Sequence, residues 1–160
     1  MRIKRLVAAT LVCASVVLGV SLLAGSGRAA SRPSTRHSCS AADKQFLQTV
    51  SQNMTQLGYW SDELLSNDAT PALVVSQAKS ESAQVQATRP LDPSLRLARS
   101  LLAGMFTEYA AAVHAKAKGG DAGRHMGKAY QFANVIHDVL VTAQPALTPM
   151  GCDVSPLLQA

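Results

Sequence analysis

No cysteine stands between Cys39 and Cys152, and the third, Cys13, lies near the N-terminus. None of the four histidines has another three or four residues away, and no Glu-x-x-His occurs. Both absences work against a helix-borne metal site, which needs two ligands on one helical face. No acidic residue precedes Asp43, whereas Arg2, Lys4, Arg5 and Arg28 all fall within the first 29 positions. Paired arginines of the twin-arginine export type are missing as well.

What the N-terminus does contain is a basic start, an uncharged and mostly apolar run from Leu6 to Leu23, and the small-residue stretch AGSGRAAS. This order predicts a secretory signal peptide over residues 1–29. Cleavage after Ala29 sets Gly27 and Ala29 at −3 and −1. The rival is an uncleaved anchor, but Thr10, Ser15, Gly19 and Ser21 dilute a run that is already short for ~30 Å of hydrocarbon. Membrane contact is therefore expected only through an uncleaved signal. The expected localisation is secreted or extracytoplasmic, in the cell envelope.

Removing the signal changes the charge. Of fifteen basic and ten acidic residues, four basic and no acidic ones leave, so the net charge falls from +5 to near +1. That balance removes the electrostatic case for nucleic acid. Arg96 with Arg99, and Lys116 with Lys118, read as helix-end or solvated charges. Two cysteines remain, and an even count in an exported chain predicts a Cys39–Cys152 disulfide rather than two free thiols.

Residues 30–38 read as a flexible polar leader, and 39–158 as one domain without repeats. Ser40 and Asp43 form a capping-box start, after which Phe46, Val50, Leu57 and Leu64 recur on one face, flanked by Leu47, Met54 and Trp60. Thr70–Pro71 opens a second helix running to about Thr88, with a thin inner face of Val74, Val75, Ala78, Ser82 and Val85. Asp92–Pro93 opens a third, with Leu95, Ala98, Leu101, Leu102, Met105, Phe106, Tyr109, Ala112 and Val113 on one broad stripe, ended by KAKGGD. A fourth starts between Asp121 and Gly127 and runs to about Ala143. Met126, Ala129, Tyr130, Ala133, Ile136, Val139 and Leu140 form its seam, and Pro145 and Pro149 are expected to stop it. Short connections predict an all-α, antiparallel up-down-up-down four-helix bundle closed by one terminal disulfide.

Chemistry-bearing motifs are few. AGRHMGKA, residues 122–129, resembles a phosphate loop but has alanine where glycine and Ser/Thr are needed, so it reads as a loop entering helix four. Asn53-Met54-Thr55 matches a glycosylation sequon inside helix one. His137, Tyr130 and Met126 fall on nearly one line of helix four, facing Met105 or Tyr109. They are the weak candidates for lining a haem or soft-metal site; the favoured reading is a boundary histidine beside ordinary core residues. Neither Glu108 nor Asp138 belongs to a recognisable acid–base pair. No catalytic residue, cofactor or metal is therefore assigned. The expected function is a non-enzymatic exported bundle that binds a partner protein or a cell-envelope component. Alternatives are a carrier of haem, metal or lipid between helices, and a small enzyme positioning substrate through Arg96, Arg99 or Arg124.

Overall fold

Each long helix opens on a side-chain cap. Ser40 Oγ accepts the Asp43 N–H at 3.0 Å, and Thr70 Oγ1 accepts that of Leu73 at 3.3 Å. Asp92 Oδ1 takes the N–H groups of Ser94 and Leu95, and Asp121 Oδ1 takes that of Arg124 at 3.1 Å. Each cap satisfies donors that the first helical turn leaves without a partner. Pro71 and Pro93 occupy the first turn, where a missing N–H breaks nothing.

The computed structural model describes residues 38–159, in which these caps begin α1 (Ala41–Ser66), α2 (Pro71–Ala87), α3 (Pro93–Ala117) and α4 (Ala122–Leu147). A 3-10 turn (Thr148–Met150) and a short α5 (Ser155–Leu158) follow. The fold is all-helical, with no strand among the described residues. No described helix is long and apolar enough to cross a membrane. The signal segment 1–29 and the leader up to residue 37 lie outside the described residues.

Two local expectations are corrected. α4 continues through Pro145 to Leu147. The carbonyl that Pro145 deprives of a donor, that of Val141, belongs to an exposed residue and can face solvent. Burial of Ala143 and Leu147 holds the extra turn in place. Residues 122–129 are the first turns of α4 rather than a loop, since Asp121 supplies the cap at the start of that segment.

α3 is the central element. It packs along α2 on one side and α4 on the other, while α1 packs on α2 and only grazes α3. Its position explains why Ala103 and Ala110, outside the expected stripe, are buried together with Leu95, Leu102 and Phe106. A helix packed along neighbours on both sides needs an apolar surface wider than a single stripe. Gly104 serves the same packing: a Cβ there would lie 3.0 Å from the ring of Phe132, so glycine lets α3 and α4 approach closely.

After α4, Gly151 takes a left-handed conformation (φ 81°) and turns the chain back. Cys152 then bonds to Cys39, with their Cα atoms 5.1 Å apart and 113 positions between them. Cys39 N–H donates to Met150 O at 2.6 Å, and both cysteines are buried. Around them Phe46, Val50, Leu95, Phe106, Leu140, Leu147 and Val154 close a continuous core. Asp43 ties this end together, its Oδ1 accepting the N–H groups of Leu91 and Asp92 in the α2–α3 connection. Burial opposes ionisation of Asp43, but the Ser40 hydroxyl and these backbone donors prevail and hold its carboxyl below its ordinary range.

Candidate functional site

The apolar face of α1 is longer than its buried face. Phe46, Leu47, Val50 and Asn53 are buried, yet no residue of α1 beyond Asn53 is. α4 mirrors this, with no buried residue before Ala129. Met54, Leu57, Ser61, Leu64 and Leu65 of α1 therefore look across open space at Ala122, Met126, Tyr130 and Ala133 of α4. No Cα of α1 comes within 8 Å of a Cα of α4 among the described residues. α3 forms the floor between them through Met105, Tyr109, Ala112 and Val113.

The result is a groove in two chambers. The larger, about 930 Å³, lies among the last turns of α1, the second half of α3 and the first turns of α4. The smaller, about 280 Å³, is lined by Val50, Leu102, Ile136, His137 and Leu140, and by Leu157 and Leu158 of α5. Met54, Met105 and Ala133 border both chambers and make the waist between them. The lined stretch of α1, Val50 to Leu65, rises about 22 Å at ~1.5 Å per residue. Two methionines at the waist give it an adaptable surface.

Polar groups in the groove are few and mostly occupied. Ser61 Oγ donates to Leu57 O at 2.7 Å and meets Tyr109 Oη at the same distance, so the tyrosine hydroxyl is the donor to serine. Asn67, left-handed at φ 64°, caps α1 at one end of the larger chamber. Among the described residues, Lys116 is the one charged side chain lining that chamber, and no carboxylate lines either chamber.

The groove gathers the three weak candidates but does not converge them. Met126 and Tyr130 line the larger chamber together with Met105 and Tyr109, as their line on α4 implied, whereas His137 lines the smaller one. Tyr130 departs from the expected seam. It is 66% exposed at the rim, because α1 is not there to cover it. His137 is also exposed, with Nδ1 3.8 Å from Asp138 Oδ1 on the outer surface. No group of three metal-ligating side chains occurs among the described residues.

Outside the groove, α3 and α4 share a charged cluster that the sequence reading did not join. His125 Nδ1 lies 2.7 Å from Glu108 Oε2, and Lys128 Nζ lies 3.3 Å from Oε1. The His125 hydrogen bond, with help from Lys128 and against partial desolvation, holds the Glu108 carboxyl below its ordinary carboxylate range. The usable signal was the hairpin itself. It brings the second half of α3 against the first turns of α4, although Glu108 lies nine residues before the end of α3 and His125 only three after the start of α4.

The arginines considered for substrate positioning are engaged elsewhere. Arg96 donates to Leu91 O and Arg99 to Thr88 O, both bracing the α2–α3 connection, while Arg124 is exposed at the start of α4. Asn53 is 2% exposed and its amide donates to Glu81 O at 3.1 Å, which leaves no room for a glycan. Glu81 was not foreseen at all. It is 1% exposed on the inner face of α2, and neither carboxyl oxygen finds a partner among the described residues. Burial pushes its carboxyl up to about 7.

No family model matches the chain, and neither a curated protein nor a solved structure matches it.

Proposed function

We propose that this chain is an exported binding protein whose α1–α4 groove takes up the acyl chain of an envelope component, without catalysing a reaction. The observation carrying this reading is the groove itself: two apolar helix faces that should meet in a closed bundle stand apart over an apolar floor. Its larger chamber lies near the top of the ~300–1,000 Å³ range of small-molecule sites, which combine apolar walls with a few polar groups. Burying methylenes contributes about 0.8 kcal/mol each, so ten of them reach roughly the micromolar range before association costs are subtracted.

The rest of the reading fits export. Residues 1–29 act as the signal and are removed near Ala29, and the disulfide forms in the oxidising compartment beyond. The four long helices run antiparallel, up-down-up-down. Connections of four or five residues support that course, as does the meeting of the last turns of α1 and α3 with the first turns of α4 in one chamber.

The test is native mass spectrometry of the disulfide-intact mature chain purified from the producing cell's envelope fraction. The expected result is a mass increment matching an acyl-bearing molecule, which Ala133→Trp at the waist removes while the chain still melts cooperatively. A bare mass, together with no response of an apolar fluorescent probe to added protein, overturns the reading. So does recovery of a protein partner that holds the groove without any lipid.

A further inference from the structure

We infer that the groove's ligand is a single-chain anionic amphiphile, with its head at Lys116 and its tail running past the Met54–Met105–Ala133 waist toward α5. The inference rests on the acyl-chain reading above and adds the ligand's charge and direction.

Charge comes first. Lys116 lies in the last turn of α3, exposed at the rim, and among the described residues it is the sole charged one lining the larger chamber. A lysine in this position can lay its methylenes along apolar wall while its ammonium stays in water. A ligand that did the same from the other side would place an anionic head beside that ammonium and its chain against the wall. The lining holds no carboxylate for a cationic head to meet. The hydroxyls deeper in the chamber, Ser61 and Tyr109, already satisfy each other, so nothing there draws a polar head inward.

Direction follows from the opposite end. The smaller chamber is lined by Val50, Ile136, Leu140, Leu157 and Leu158, and among the described residues its one titratable lining residue, His137, is exposed at the edge. Between the two ends runs the lined wall of α1 from Val50 to Leu65, about 22 Å long. The hydrocarbon of one leaflet, half of a ~30 Å bilayer core, is about 15 Å deep, so an ordinary acyl chain fits lengthwise with its head at the rim.

The experiment uses the mature, disulfide-intact chain and three ligands with one tail: dodecanoate, dodecanol and dodecyltrimethylammonium, each kept below its micelle concentration. Each competes with a bound apolar fluorescent probe. Dodecanoate is expected to bind about threefold to fivefold more tightly than dodecanol, as one exposed ion pair allows, and the margin should shrink with added salt. Lys116→Met should erase the margin, and Lys116→Glu should reverse the order in favour of the cation. Direction is read from Trp60, the chain's only tryptophan, which packs against the buried cluster of Ala69, Val74 and Val113, the last of these lining the chamber with Lys116. Dodecanoate brominated beside the carboxylate should quench it more than dodecanoate brominated at the terminal carbon. Equal binding of all three ligands, indifference to Lys116, or the opposite quenching order overturns this inference and leaves the groove reading standing. If none of the three displaces the probe, both fall.

Discussion

The two ends of this bundle are built differently from the same helices. At the disulfide end, α1, α3, α4 and the C-terminal segment surround Phe46, Phe106, Leu140 and Val154, none of which has accessible surface. At the other end the buried cluster is reduced to Ala69, Val74 and Val113, beside the small Ala110 and Ala112, with Trp60, Leu64 and Tyr109 only partly covered. The helices do not change character between the two. Met54, Leu57 and Leu64 continue the stripe begun by Phe46 and Val50, so the apolar surface is still present and only its cover is absent. A covalent link together with the reversed chain at Gly151 closes one end. The other keeps an exposed apolar surface of the kind that marks binding sites.

The strongest way to break this contrast is to remove the staple. Cross-linking across 113 positions restricts the unfolded chain by about 4–5 kcal/mol on the loop-entropy account. Replacing Cys39 and Cys152 by serine should therefore lower the melting temperature by far more than any surface change. Amide hydrogen exchange should accelerate first at Ala41–Val50 and Ala143–Leu147, making the closed end behave like the open one. If exchange at the two ends of α1 stays as unequal as before, the disulfide is not what distinguishes them.

Glu81 sharpens the boundary between the halves. It bonds through its backbone carbonyl to Asn53, the last buried residue of α1, so it sits at the level where the closed half ends. A carboxyl buried there without a partner stays protonated in the fold up to about pH 7, whereas in the unfolded chain it ionises near pH 4.5. The native state thus binds the proton more tightly. Stability is complete below about pH 4.5, falls as pH rises toward 7, and is level above that; the loss is on the order of 3 kcal/mol. Asp43 acts in a different window, because its lowered value removes stability only as pH falls below the ordinary carboxylate range. Glu81→Gln should flatten the decline between pH 5 and 8, leave the behaviour at lower pH unchanged, and make the chain more stable at pH 8. Denaturant unfolding at the two pH values checks this. Equal stability of the parent chain at pH 5 and 8 would contradict it.

These cases also mark what was legible beforehand. Caps are local, so Ser40, Thr70 and Asp92 placed three helix starts from sequence alone, and the cysteine pair identified the flanks that meet. The stripe on α1 was equally legible as apolar. Periodicity, however, states which face a helix would bury and not whether a neighbour arrives to bury it. That is why Tyr130 was read as seam and stands at the rim. Glu81 was missed for a related reason: between Ala78 and Ser82 it looked like an ordinary helical glutamate, and its burial depends on α1 and α3 closing over α2. Met126, Tyr130 and His137 were read as one line of α4, but the waist that leaves Met126 and Tyr130 in one chamber and His137 in the other is a tertiary feature.

The smallest expected effect compares glycines whose surroundings differ. Alanine in a helix interior is ordinarily favoured over glycine by roughly 0.5–1 kcal/mol, because the unfolded chain loses freedom. At Gly58, on α1, a new Cβ would meet nothing within 4 Å, so Gly58→Ala should gain about that amount. Gly104 lies where α3 and α4 press together, and its Cβ would meet three atoms of the Phe132 ring at 3.0–3.3 Å. Phe132 is only half-buried and can yield by a few tenths of an ångström, but doing so loosens the tightest seam in the molecule. Gly104→Ala should therefore fall short of the Gly58→Ala gain by about 1 kcal/mol or more in denaturant unfolding, and pairing it with Phe132→Leu should recover part of the shortfall. An equal gain at both positions would mean that α3 and α4 pack more loosely than their close approach implies, and that the contrast in this molecule lies in the disulfide alone.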